Sequence, residues 1–251
     1  MDYSQRLTNR IEETGSRLCV GIDPRPELIE GDLAEFLLNF VEETAPKAAA
    51  FKPNMAYFES LGSAGIAILE KVLVEIVGRV PVVLDCKRGD IGATQEYYAK
   101  AYFERWNVDA VTLSPYMGYD SVEPFLKYED KGVYLLGVTS NPGAADLERQ
   151  VLADGREVFE LVADFARREP RRIGLVVGLT NTTSDLLAKI PDVPLLLPGL
   201  GAQGGDLSAL AGEDRRSPLL VNVSRGIMFG KDDLSFGERA RNYADKIAEI
   251  F

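Results

Sequence analysis

Residues 82–92 read VVLDCKRGDIG, and this stretch contains the pattern that decides the fold. A short apolar, β-branched run of the kind that forms a buried strand is followed by charged residues and glycines where the strand ends. Seven further runs of this kind occur along the chain. The eight predicted strands cover residues 18–22, 49–52, 82–87, 110–113, 133–139, 174–179, 195–197 and 219–223.

The segments between the predicted strands have a helical repeat. Apolar residues recur every three or four positions in 68–77 and 236–247, which is typical of surface helices with one buried face. Strict alternation of strands and helices requires a parallel sheet with crossover helices, and eight units in 251 residues favour closure. We therefore expect an α/β fold, a (β/α)8 TIM barrel in a single domain covering 1–251, with an open doubly wound sheet as the alternative.

Composition limits the partners and the chemistry. The formal net charge of -11 disfavours nucleic acid and anionic membranes as partners, so an anionic ligand needs a local basic cluster. The chain has no export signal or long apolar run, which predicts a cytoplasmic protein, and Cys19 and Cys86 are expected to be buried thiols in a reducing compartment. Without histidine, proton transfer falls to Lys, Asp, Glu, Tyr or Cys.

Charged residues stand at the ends of the first three predicted strands: Asp23, Lys52, Asp85 and Lys87. In a barrel the carboxyl ends of the strands meet at one rim, where active sites are built, so we expect these four side chains to converge. Each also has a simpler interpretation. Asp23 suits a turn or a helix cap, Lys52 suits a solvated strand end, and Asp85 with Lys87 suits an ion pair that closes the strand.

The third strand predicts where its side chains point. Successive side chains on a strand face opposite sides, so Asp85 and Lys87 should project together and Cys86 oppositely, toward the helices. Asp90 lies beyond the strand, on a loop that reaches outward.

The segment Asp85-Cys86-Lys87-Arg88-Gly89-Asp90-Ile91 resembles the Asp-x-Lys-x-x-Asp signature of the orotidine 5'-monophosphate decarboxylases. Many members continue as Ile-Pro-x-Thr, whereas this chain has Ile91-Gly92-Ala93-Thr94, which resembles a divergent branch with the same activity. Further motifs similar to those of the family follow in order along the chain: VGIDPRP (20–26), FKPN (51–54), TSNPGA (139–144), PGLGAQGG (198–205) and SRG (224–226).

This resemblance implies conversion of orotidine 5'-monophosphate to UMP and CO2, the last step of de novo pyrimidine nucleotide biosynthesis, without metal or organic cofactor. Lys87 would protonate C6 of the pyrimidine as CO2 leaves, with Asp85 beside the departing carboxylate. A vinylic carbanion has no adjacent carbonyl to take up its charge, so a fixed ammonium must stabilise it and then deliver the proton. Lys52, with Asp23, would contact ribose hydroxyls beside the reacting centre.

The resemblance also implies a homodimer with shared active sites. Asp90, Ile91 and Thr94 would enter the neighbouring subunit's site. Ser140 would hydrogen-bond the pyrimidine amide, although a serine at a strand end is also common in turns.

The resemblance implies a phosphate-binding site after the seventh and eighth strands. Arg225 offers a bidentate fork and Gln203 a side-chain amide, while Pro198 and Gly226 belong to the same two motifs. The simpler interpretation is a flexible turn at 198–205 and a surface arginine.

Two other functions stay open at this point. A metal-dependent relative acting on a sugar phosphate would share the barrel and the phosphate-binding site. A catalytically inactive barrel would bind nucleotide or phosphate without turnover.

Overall fold

Eight parallel strands follow one another in the computed structural model, which describes residues 1–200, 207–212 and 214–251. All eight predicted strands are confirmed, with ends that differ from the prediction by at most two residues. The strands are β1 (Leu18–Ile22), β2 (Ala50–Pro53), β3 (Val83–Arg88), β4 (Ala110–Leu113), β5 (Gly132–Val138), β6 (Ile173–Val177), β7 (Leu195–Pro198) and β8 (Leu219–Val223).

The sheet closes into a barrel. Its strand order is β2-β1-β8-β7-β6-β5-β4-β3, and the two ends of this order are joined by parallel bridges from Phe51 to Val82 and from Asn54 to Asp85. The amide of Phe51 donates a hydrogen bond of 2.9 Å to the carbonyl oxygen of Pro81. The (β/α)8 prediction is therefore confirmed, and the open-sheet alternative is wrong.

Helices connect the strands and cover the barrel. The two predicted helical stretches, 68–77 and 236–247, are helical, except that Val77 caps the end of the first helix. The α-helices of the described residues are α1 (Tyr3–Thr14), α2 (Leu33–Thr44), α3 (Met55–Glu59), α4 (Gly62–Ile76), α5 (Gly92–Lys100), α6 (Glu123–Leu126), α7 (Val158–Arg168), α8 (Ser184–Lys189), α9 (Arg225–Met228) and α10 (Phe236–Ala248).

The core has two layers. A large cluster fills the space between barrel and helices and includes Cys86, while a smaller one inside the barrel includes Cys19. Tyr3 of α1 belongs to the inner cluster, and its hydroxyl lies 3.0 Å from that of Tyr134, so α1 covers the amino ends of the strands. Both cysteines are buried and unpaired, and burial raises the pKa of each thiol to about 12. The carboxyl ends of the strands are left open for a site.

Among the helices that the structure describes, none has the length and apolarity needed to span a membrane.

Candidate active site

A cavity of about 460 Å³ opens at the carboxyl ends of the strands. Eight of the predicted site residues line it: Asp23, Lys52, Asp85, Lys87, Ser140, Pro198, Arg225 and Gly226. These residues come from β2, β3 and β7 and from the segments after β1, β5 and β8. The convergence expected from strand-end positions is therefore present in the folded chain.

Asp85 stands between two lysines at the centre of the cavity wall. Its Oδ2 accepts a hydrogen bond of 2.8 Å from Nζ of Lys52, and its Oδ1 accepts one from Nζ of Lys87. Lys52 and Asp85 are only 5% and 8% exposed, whereas the side chain of Lys87 is 48% exposed. Lys87 is thus the lysine of the pair that reaches the open cavity.

The charges of the buried pair support each other. Burial opposes ionisation of Asp85, but Lys52 and Lys87 outweigh it and hold the pKa of Asp85 well below its ordinary value. Burial likewise opposes the charge on Lys52, yet Asp85 and Asp23 raise the pKa of Lys52 above its ordinary value. The cavity wall therefore carries fixed charges of alternating sign at neutral pH.

The end of β3 departs from regular strand geometry. Leu84 pairs with Val111 of β4, and the next pair joins Arg88 to Leu113, so three residues of β3 stand against one of β4. Within this bulge Lys87 adopts a φ of 45°, which is uncommon for a residue other than glycine. Asp85 and Lys87 still face the cavity while Cys86 joins the outer core, as the alternation of side chains predicted.

Asp23 lines the cavity with a carboxylate oxygen whose hydrogen-bonding capacity is unused. Its Oδ1 is buried and has no hydrogen-bond partner among the described residues, and the same holds for the Oγ of Ser224. Buried polar atoms are nearly always paired in proteins. A ligand hydroxyl is the kind of group that would satisfy these two atoms.

The backbone around Ser140 is held from two sides. Glu148 accepts a 2.7 Å hydrogen bond from the amide of Thr139 and a 2.9 Å bond from its hydroxyl. Asn181 donates to the carbonyl of Thr139 at 2.6 Å. Gly178 packs so closely that a Cβ there would lie 2.3 Å from Oγ of Ser140. Ser140 is therefore fixed at the cavity wall more firmly than a turn hydroxyl requires.

A basic side chain lines the cavity after β8. Arg225 begins α9, lines the cavity and forms no ion pair within the described part of the chain. A Cβ at Gly226 would lie 2.2 Å from the hydroxyl oxygen of Tyr243, so glycine is required for this close approach. Gln203, the second predicted phosphate contact, lies outside the described residues.

Three predicted residues lie away from the cavity of their own chain: Asp90, Ile91 and Thr94. Asp90 uses its Oδ1 to accept a 2.8 Å hydrogen bond from the amide of Ile91. Ile91 is 62% exposed although it is a large apolar residue.

Sequence reasoning missed other residues that line the cavity. Asn54 directly follows β2 and Arg25 lies three residues after β1, both within quoted motifs, so their positions gave a signal that was not used. Thr112 and Asn222 lie within β4 and β8 and are uncharged, so no pattern marked them.

No cluster of three or more acidic or cysteine side chains placed to hold a metal ion occurs in residues 1–200, 207–212 and 214–251.

Residues 16–240 match the model of the orotidine 5'-phosphate decarboxylase / HUMPS family. The chain belongs to this family. A relative from Roseiflexus castenholzii, named orotidine 5'-phosphate decarboxylase, is 41% identical over 99% of this chain and 97% of the relative. A second, from Herpetosiphon aurantiacus, is 40% identical over 99% of this chain and 96% of the relative.

Solved structures of the family agree with the barrel. The structure of Leishmania donovani OMP decarboxylase has a TM-score of 0.86 and 37% identity, with 100% of this chain and 99% of that chain covered. The expected family and fold are therefore both confirmed.

Proposed function

We propose that this member of the orotidine 5'-phosphate decarboxylase / HUMPS family converts orotidine 5'-monophosphate to UMP and CO2 in pyrimidine biosynthesis, with Lys87 as the proton donor. The observation that carries this proposal is the Lys52–Asp85–Lys87 array at the wall of the cavity. Relatives named as the decarboxylase match almost the whole chain at about 40% identity.

Lys87 fits the demands of the chemical step. Loss of CO2 leaves an electron pair at C6 in the plane of the ring, without an adjacent carbonyl to delocalise it. A fixed ammonium stabilises this charge as it forms and then donates a proton to the carbon. Lys52 does not take this role because it is buried, whereas the side chain of Lys87 is 48% exposed at the cavity.

Asp85 holds the donor in place through its Oδ1 and faces the substrate carboxylate. When CO2 leaves, the electron pair of the broken C–C bond stays on C6, and the ammonium of Lys87 neutralises it by transferring a proton to that carbon. Oδ1 of Asp23, which has no partner among the described residues, accepts a hydrogen bond from a ribose hydroxyl. Lys52, hydrogen-bonded to Asp85, also contacts the ribose.

Contacts remote from C6 contribute the remaining stabilisation. A rate enhancement of ~10¹⁷ corresponds to about 23 kcal/mol of barrier reduction, more than one ammonium provides. Arg225 binds the phosphate together with Gln203, and Pro198 and Gly226 shape that end of the cavity. Ser140 donates to or accepts from the pyrimidine amide.

We also propose a homodimer in which Asp90, Ile91 and Thr94 complete the partner's site. These three residues do not line the cavity of their own chain. Ile91 is one of four exposed large apolar residues in the segments that follow the neighbouring strands β3 and β4, the others being Tyr97, Tyr116 and Met117. Exposed apolar surface on one side of a barrel favours a protein interface.

The same proposal treats residues 1–251 as one barrel domain that acts in the cytoplasm on a small-molecule substrate. A single family model spanning 16–240 supports one domain. The net charge of -11 disfavours nucleic acid and anionic membranes as partners.

Turnover of orotidine 5'-monophosphate tests the activity directly. We expect the absorbance of the orotate ring to fall on mixing with the protein, with UMP and CO2 formed in equal amounts. Activity should survive a strong chelator, since the proposed proton transfer uses Lys87 alone. Loss of activity with chelator, or turnover of a pentulose or hexulose phosphate instead, would favour the metal-dependent alternative.

A further inference from the structure

The bulge at the end of β3 leaves backbone amides that need hydrogen-bond acceptors from outside the regular ladder. Residues 85–87 of β3 stand opposite the single residue Thr112 of β4, so the amides of Cys86 and Lys87 lose their regular partners in the ladder. Lys87 must also be kept at a φ of 45°, which side-chain-bearing residues avoid unless their surroundings enforce it.

The hydroxyl of Thr112 meets both demands. Its Oγ1 accepts hydrogen bonds from the amide of Cys86 at 3.0 Å and from the amide of Lys87 at 2.9 Å. The same hydroxyl donates its proton to Oδ1 of Asp85 at 3.0 Å. That carboxylate oxygen is the one bound to Nζ of Lys87.

One oxygen atom thus connects the backbone of Lys87 with the carboxylate that holds its ammonium. Thr112 is 1% exposed and lines the cavity, so water has little access to replace it. Because threonine is β-branched, its side chain has few alternative rotamers, which keeps the hydroxyl in this position.

We propose that Thr112 is a positioning residue for proton transfer: its hydroxyl sets the place of Lys87 and Asp85 relative to each other. This role rests on the proposed decarboxylase function. Thr112 needs no contact with the substrate. It acts by keeping the ammonium of Lys87 within reach of C6, and small displacements of a catalytic group are costly.

The test compares Thr112→Ser with Thr112→Ala, which differ by one oxygen atom. We expect the serine variant to keep a kcat close to that of the wild type and the alanine variant to lose about 100-fold in kcat. The KM for orotidine 5'-monophosphate and the inhibition constant of UMP should change little in both, because the ribose and phosphate contacts stay in place. Equal kcat values for the serine and alanine variants would overturn the proposal.

Thr44→Ala is the matched control for loss of a buried hydroxyl. Thr44 lies in α2, is fully buried and donates a 2.7 Å hydrogen bond to the carbonyl of Phe40. We expect Thr44→Ala to lower the urea midpoint while kcat is unchanged. If Thr112→Ala also lowered the midpoint but kept kcat, its hydroxyl would be structural only and the proposal would be wrong.

Two further measurements keep the outcome unambiguous. If alanine at 112 prevented folding, Thr112→Val retains the side-chain volume and makes the same comparison with serine. A wild-type protein that does not turn over orotidine 5'-monophosphate would defeat the proposed function itself. Turnover by the wild type with full kcat in a folded variant lacking the hydroxyl would defeat only the role of Thr112.

Discussion

Nζ of Lys52 lies 2.8 Å from Oδ2 of Asp85, and both side chains are buried at the cavity wall. Removing one partner of a buried ion pair leaves the other charge without compensation in a poorly hydrated place. The pair therefore links the stability of the barrel to the catalytic array that it supports.

Asp85→Asn should destabilise the protein as well as inactivate it. Because Lys52 would lose its bound carboxylate, we expect the free energy of unfolding at neutral pH to fall by about 3–5 kcal/mol. Urea unfolding measures this change. Arg156→Ala, which removes exposed ion pairs to Asp154 and Asp164, is the control and should cost much less. Equal losses for the two variants would contradict the importance of the buried pair.

The stability advantage of the wild type over Asp85→Asn should depend on pH in a defined direction. The pKa of Asp85 is lowered in the folded state, so its contribution is complete above the ordinary value of 3.8 and is lost as the pH falls through the folded value. We therefore expect the difference in unfolding free energy to be constant near neutral pH and to narrow below 3.8. A difference that widened in acid would contradict this assignment.

Arg225→Ala should weaken binding of the substrate phosphate. Loss of charge-assisted hydrogen bonds is expected to lower kcat/KM for orotidine 5'-monophosphate by about 10- to 100-fold. Orotidine, which lacks the phosphate, provides the control: its slow turnover should be the same with both proteins. An equal loss for both substrates would show that Arg225 does not act through the phosphate.

The sequence predicted the barrel well because strand and helix periodicity is local information. It also predicted the shared direction of Asp85 and Lys87, since a strand alternates its faces. The bulge that places them was not predictable, because lysine is not a residue that signals a positive φ. Thr112 was missed for a related reason: a neutral residue inside β4 gains its role only when β3 is paired against it.

Glu148→Ala should impair substrate binding through Ser140. Glu148 bonds both the amide and the hydroxyl of Thr139, so its loss frees the backbone that presents Ser140 to the cavity. We expect the KM for orotidine 5'-monophosphate to rise by about tenfold. Glu148→Gln keeps an acceptor oxygen and should have a smaller effect. An unchanged KM in the alanine variant would mean that other contacts, such as that from Asn181, suffice.

Shared sites should allow two inactive chains to complement each other. A heterodimer of Lys87→Ala and Asp90→Ala subunits has one site with both residues intact. When equal amounts of the two variants are mixed and pair at random, about a quarter of all sites should therefore be active. The measurement is turnover after co-refolding, compared with each variant refolded alone. Absence of any recovery, with heterodimers present by mass, would argue against a site completed by Asp90 of the second chain.

Ile91 and Thr94 are exposed, whereas Asp90 is half-buried. Their side chains are not explained by packing within the chain, since they lie outside the cavity and Ile91 is largely exposed. Only the family resemblance suggested a role for them.

Direct measurement of CO2 release by Lys87→Met is the decisive test. Methionine fills similar space without charge or a transferable proton, so we expect the rate to fall by at least ~10⁴-fold while UMP still binds in the cavity. A Lys87→Met protein that released CO2 at the rate of the wild type would contradict the assignment of Lys87 as the group that stabilises and protonates the carbanion.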